Sequence, residues 1–240
     1  MRSHLPPCSR LGVATGFGLF QLRQWLRQAA QRAGVGRARP LEPEVWSPPD
    51  SALVKRAREL AREAYDDHLH GHGERTWAFA MAVATHLGLR PDPEALHVAC
   101  LLHDLGLTEQ FAGEGPFELR GADAAHAMCL PDHVRADIVH EAIALHTSLS
   151  AAFGPAEVRL VQTGSGGDLV GLDREFVHPR TRELVERQWP TTPEFAHHVV
   201  GALRRETAKH PRSPGARLLQ VGFAGRVKGY QRGRQHRLAR

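Results

Sequence analysis

Cysteine is scarce in this 240-residue chain. Cys8, Cys100 and Cys129 are widely spaced and odd in number, with no CxxC pair, so a disulfide framework is not expected, and a reducing cytoplasm suits them. No apolar run is long enough to span a bilayer. The stretch "LGVATGFGLF" at 11–20 could pass for the core of a signal peptide, but no small-residue cleavage site follows it, so a secretory leader is not expected. Alternating strand patterns, hairpin turn signals and internal repeats are also lacking, which leaves an all-α fold as the economical expectation.

Acidic residues are missing from both ends. Residues 1–40 carry seven Arg and no acid, and residues 226–240 carry six Lys or Arg and no acid, leaving 18 basic against 26 acidic residues in the middle. The net charge of +5 thus hides an acidic core between two basic tails. Such tails are expected to be solvated; the C-terminal one has no reading helix or aromatic platform, so nucleic acid is not an expected partner. The segment "GVGRARPLEPEVWSPPD" at 34–50 reads as a linker. Three regions follow: a basic extension and linker at 1–49, a folded domain at 50–210, and a C-terminal segment with its basic tail at 211–240.

What is plentiful is histidine, 16 in all, several of them inside apolar helical patterns. A buried imidazole needs partners for its nitrogens, which protein groups or a metal can supply. Helices are expected over "SALVKRARELAREAYDDHL", over "ERTWAFAMAVATHLG" with His72 just ahead of it, and over "DPEALHVACLLHDLG" with Pro93 at its start and Gly106 past its end. Others are expected near 120–130, 132–149, 155–163, 193–209 and 214–222. His103 and Asp104 sit in a run apolar on nearly every side, where Asp104 must be paired or metal-bound. His146 follows Ile143, Ala142 and Val139 at helical spacing and shares their inward face, while His140 is turned about 120° away. Asp168 lies between apolar residues after the glycine-rich "GSGG", read as a break that lets it reach the centre. "GSGG" has neither the Lys-Ser/Thr nor the strand context of a phosphate-binding loop. Imidazoles and carboxylates converging from separate helices make an N/O site for a divalent ion such as Zn, Fe, Mn, Co or Mg. His126, His133, His140, His197, His198 and His210 have no such placement and are read as structural or exposed.

In order along the chain, "HGERTW", "ACLLHDLGLT", "FELRGADAA", "AIALHTS" and "VQTGSGGDLVG" resemble the HD-domain superfamily of metal-dependent hydrolases, and more closely its cyanamide-hydratase-like branch. The resemblance spans residues 72–171 and fades before 50 and after about 210. It implies a helical bundle with a metal site at its centre, ligated by His72, His103, Asp104 and Asp168, and a small-molecule substrate. The leading expectation is metal-dependent hydrolysis of the phosphate-ester type usual in the superfamily; the alternative is hydration of cyanamide or another small nitrile as in the hydratase branch, and a second alternative is a non-enzymatic binding or regulatory protein using its basic tail. Where binuclear relatives often have a His three residues before "GA", this chain has Glu118. A single metal is therefore favoured, with Glu118, His146 and Asp104 as the catalytic set and Glu118 placed for proton transfer. Arg75 and Arg120 are candidate anion binders and Trp77 a candidate pocket wall. "HGER" stands where the branch has "HSxR", removing a hydroxyl near the first ligand. A homo-oligomer is left open.

Overall fold

The computed structural model describes residues 37–238; the basic N-terminal extension, with Cys8 and the apolar stretch at 11–20, lies outside the described residues. Among the described residues there is no strand, and no helix is long and apolar enough to cross a membrane. The helices are α1 Ala52–Ala64, α2 Asp67–Leu87, α3 Pro93–Leu102, α4 Phe117–Cys129, α5 His133–Leu145, α6 Ala156–Val170, α7 Pro179–Gln188, α8 Phe195–Lys209, α9 Pro214–Gln220 and α10 Phe223–Leu238.

Local chemistry sets the boundaries. Ser51 caps α1 by accepting from the Val54 amide, and Asp66 caps α2 by accepting from the Leu69 amide. The amphipathic stretch from 51 is thereby split at Tyr65–Asp66, and His72 lies inside α2, a full turn beyond its start, instead of ahead of it. Asp92 caps α3 through the Glu94 and Ala95 amides, with Pro93 at the first helical position. Gly88, at φ 65°, ends α2 in a left-handed turn.

Helix α3 is the axis of the bundle, lying against α1, α2, α5 and α6, and every residue from Ala95 to Leu102 is buried. Helix α2 packs along α6, and α4 along α5. The α2–α6 crossing is close: a Cβ at Gly164 would stand 2.2 Å from the Thr76 carbonyl oxygen. That proximity corrects the expectation of a break at "GSGG". These residues are the middle of a continuous helix, and Gly164 is there because a neighbouring backbone occupies the space of a side chain.

Two segments fold where no element was expected. Residues 41–46 pack down as Trp46 buries its ring and its carbonyl accepts from Trp77 Nε1 at 2.8 Å, while the Leu41 amide donates to Thr181 Oγ1 of α7. The basic tail forms α10, seated on α6 and α8 through an apolar seam of Leu169, Phe195, Val199, Val200 and Val227. Trp77 is thus core, its ring meeting His97 edge-on at 5.0 Å, and not the wall of a pocket.

His97 is fully buried, neither ring nitrogen has a hydrogen-bond partner, and burial, helped by the Arg58 charge, lowers its pKa to about 3. Two outcomes follow from this packing. Gly164→Ala forces α6 off α2 and lowers stability by about 1–3 kcal/mol, measured as a lower denaturation midpoint at unchanged m-value. Stability at or above wild type would contradict the close crossing. For His97, the unfolded imidazole titrates near 6.5 and the folded one near 3, so below pH 6.5 the unfolded chain holds the extra proton and stability falls with pH. His97→Phe removes this slope, up to about 1.4 kcal/mol per pH unit as the pH falls below 6.5. Parallel stability curves for the two proteins between pH 7 and 4.5 would count against it.

Candidate metal centre

The centre forms where α3 ends. His103 occupies the C-cap and Asp104 the next position, so both side chains leave the helix axis together into a 3-10 turn at Leu105–Leu107. Gly106 lets this turn pass against α4, since a Cβ there would stand 2.1 Å from the Phe117 carbonyl oxygen. His72 comes from the middle of α2 and His146 from the C-cap of α5. All four are buried. Phe195 lies 5.7 Å from the His72 ring and Phe117 5.7 Å from that of His146, so aromatic faces shield the cluster on two sides.

The hydrogen bonds set the tautomer of each histidine. His103 Nδ1 donates to the Cys100 carbonyl at 2.8 Å, His146 Nδ1 to the Ile143 carbonyl at 2.6 Å, and His72 Nδ1 to Asp168 Oδ2 at 2.8 Å. Each ring therefore turns Nε2 toward the others. His72 Nε2 and His103 Nε2 are 3.3 Å apart, Asp104 Oδ2 is 3.4 Å from His103 Nε2 and 3.8 Å from His72 Nε2, and Asp104 Oδ1 is 3.9 Å from His146 Nε2. Burial, with the His72 imidazole beside it, lowers the His103 pKa to about 3. Burial, with the His103 imidazole beside it, lowers that of His146 to about 4, so both rings are neutral at pH 7. Burial raises the Asp104 carboxyl, with His72 and His146 opposing.

This donor set fits a divalent cation. Lone pairs facing at 3.3 Å need a positive charge between them, and Asp104 and His146 bring more acceptors to the same space than one shared proton can serve. His72, His103 and Asp104 each offer a ligand atom within 4.8 Å of the others. An imidazole-rich site with one carboxylate suits Zn, Fe, Co or Mn better than Mg, whose preference is for oxygen.

Residues 69–184 match the HD domain family. They are an HD domain. Two curated relatives, the cyanamide hydratases DDI2 and DDI3 of Saccharomyces cerevisiae, are each 25% identical to this chain over 183 residues, covering 72% of it and 80% of each relative. These matches support a relationship to metal-dependent hydrolases and hydratases, and His72, His103 and Asp104 of the matched segment are able to hold a divalent ion.

The other expected site residues are placed differently. Asp168 reaches His72 from the side of Nδ1, and its Oδ1 accepts from Arg75 Nε at 2.8 Å and from a guanidinium nitrogen of Arg234 at 2.7 Å. Burial alone would raise its carboxyl, but Arg75, Arg234 and His72 together hold it well below the usual carboxylate range. Arg75 is consequently buried and committed to Asp168, stacked 4.8 Å over the Phe195 ring. Arg120 is committed too: it donates to the Phe111, Gly106 and Gly115 carbonyls and pairs with Glu206 at 2.8 Å. Neither is a free anion binder, because each is the counter-charge of a buried carboxylate.

Glu118 is buried on α4, and its Oε1 accepts from Thr147 Oγ1 at 2.7 Å and from the Gly215 amide at 2.9 Å, while Oε2 has no hydrogen-bond partner. Burial raises its carboxyl, the two hydrogen bonds oppose this, and the nearby Asp104 charge adds to it. Sequence reasoning missed several neighbours. Thr147 stands in the quoted "AIALHTS" and Ser165, whose Oγ is 3.3 Å from His72 Nε2, in "VQTGSGGDLVG". Tyr65, buried so that its phenol pKa is raised by burial and by Asp104, has no sequence signal beyond an apolar position. The protein is expected to bind one divalent ion per chain by mass spectrometry of the native protein. Asp104→Asn should weaken binding by more than the roughly 10–100-fold typical of outer-sphere partners, with helical circular dichroism retained. Full occupancy in this variant would refute the assignment.

Proposed function

We propose that this protein is a metal-dependent hydratase that adds water to a small neutral nitrile of the cyanamide type. The observation that carries this reading is that both arginines offered by the sequence for anion binding are spent internally, Arg75 on Asp168 and Arg120 on Glu206, while the groups around the metal ligands include the carboxylate of Glu118. A phosphate ester brought to this place would meet negative charge with neither of those guanidiniums to balance it. A nitrile carries no charge and is small enough for a site shielded by Phe117 and Phe195. The similarity to cyanamide hydratases supports the same choice.

His72, His103 and Asp104 would hold the ion, with His146 beside them. When bound, it supplies Lewis acidity, lowering the pKa of a water and polarising the nitrile. The chain's own part is proton handling and orientation. Glu118 keeps Oε2 uncommitted while Thr147 and the Gly215 amide hold Oε1, so the carboxyl is fixed in direction with one oxygen free for exchange. It takes a proton from the attacking water as the C–O bond forms and returns it to the nitrile nitrogen; tautomerisation then gives the amide, which for cyanamide is urea. A carboxyl raised by burial is suited to carry the proton in both directions.

A substrate panel tests the reading. With Zn, Fe, Mn or Co supplied, urea should form from cyanamide, and Glu118→Gln should lower kcat by about 10²–10⁴-fold with KM little changed. Phosphate release from nucleotides or phosphomonoesters, with no turnover of cyanamide, would reject it in favour of a phosphohydrolase.

A further inference from the structure

Helix α10 lies wholly beyond residue 184, where the family match ends. One face of it nevertheless enters the core. Val227, Gln231 and Arg234 follow at helical spacing and are at most 2% exposed. Gln231 Nε2 donates to the Asp168 carbonyl at 2.6 Å, and Arg234 donates to Asp168 Oδ1 at 2.7 Å. The same helix therefore grips both the backbone and the side chain of one residue. Arg234 Nε also lies 2.8 Å from Glu186 Oε1 of α7. Arg75, Arg234, Asp168 and Glu186 thus form a charge-balanced group of two cations and two anions.

We propose that Arg234 is a positioning residue of the metal centre: with Arg75 it saturates Oδ1 of Asp168, leaving Oδ2 fixed as the acceptor for His72 Nδ1–H, so that α10 sets the orientation and tautomer of a metal ligand from outside the family-matched segment. This rests on the reading of His72 as a ligand. The physical argument is one of allocation. A buried carboxylate needs its charge met, and with Arg75 alone on Oδ1 the carboxylate is free to rotate or to be drawn to another donor. With two guanidiniums on Oδ1, the one remaining strong acceptor direction points at His72. An imidazole held through its far nitrogen by a fixed carboxylate presents the near nitrogen as a better oriented and more basic donor to a metal. Seating comes from elsewhere on the helix, from Val227 in the apolar seam with Leu169 and Phe195, so packing and positioning are carried by different residues.

The experiment uses the full chain and Zn²⁺ in competition with a chromophoric chelator, with imidazole ¹⁵N NMR of the metal-free protein as the second readout. Arg234→Gln should bind Zn²⁺ about 10–100-fold more weakly and lose the single Nδ1–H signature of His72. Arg234→Lys, which keeps the charge without the fork, should fall between Gln and wild type. Val227→Ala loosens the seat of α10 and should lower the melting temperature while leaving both readouts at wild-type values. Wild-type affinity in Arg234→Gln, or an equal loss in Val227→Ala, would overturn the proposal by reducing α10 to scaffold. Should Arg234→Gln not fold, the Lys variant decides: weaker binding with a native circular dichroism spectrum supports positioning, and unchanged affinity overturns it. A wild-type protein that binds neither Zn²⁺ nor Mn²⁺ would instead remove the metal reading itself, and the positioning role with it.

Discussion

Asp104, Asp168 and the imidazoles of His72, His103 and His146 are buried close together in a core of alanine, leucine and valine, where water cannot serve them. Removing a carboxylate from water is tolerable only where opposite charge and hydrogen bonds replace the solvent. Asp168 meets this demand with two arginines and a histidine, all protein groups. Asp104 does not: the imidazole nitrogens 3.4 to 3.9 Å from its carboxylate belong to rings whose Nδ1 protons point the other way, toward backbone carbonyls and Asp168. The difference between these two aspartates organises the molecule. One is neutralised in advance and serves as scaffold for His72; the other remains an acceptor among acceptors, the condition a divalent ion satisfies.

The same constraint explains why the arginines do not face a substrate. Arg75 lies one turn from His72 on α2, near enough to the centre to suggest anion binding. Its reach is used up by Asp168, and a guanidinium withdrawn from that carboxylate would leave an uncompensated buried charge. Arg120 is bound in the same way to Glu206, and its donors to three carbonyls tie the loop after Asp104 to α4. The electrostatics left around the metal ligands are therefore those of neutral imidazoles and carboxylates whose pKa values burial has raised, a setting for moving a proton between water and a neutral substrate.

Most of the centre was legible because its residues sit at the ends or inner faces of strongly periodic helices. His146 follows its apolar face at helical spacing, and His103 and Asp104 terminate a strongly apolar helix, so their burial could be read directly. The ordered motifs from His72 to Asp168 added the fold. Misreadings arose where a local signal had a non-local cause. "GSGG" looks like a break, but these glycines lie inside α6, with Gly164 accommodating the backbone of α2. Trp77 looks like a binding aromatic but fills the core and donates to the Trp46 carbonyl. Helix α10 looks like a solvated tail because its inward positions include Gln231 and Arg234, polar residues that are buried only because Asp168 waits for them on α6.

By itself, then, the sequence determined the all-helical pattern, the inward stripe of His and Asp, and their order along the chain, because these follow from periodicity and from the cost of burying polar groups. Only the tertiary structure decided which nitrogen of each histidine faces the centre, which carboxylate is spoken for, and that the last basic helix belongs to the core. Those are questions of pairing among residues far apart along the chain, 96 positions for His72 and Asp168 and 66 for Asp168 and Arg234, and spacing carries no information about which of several buried charges will meet.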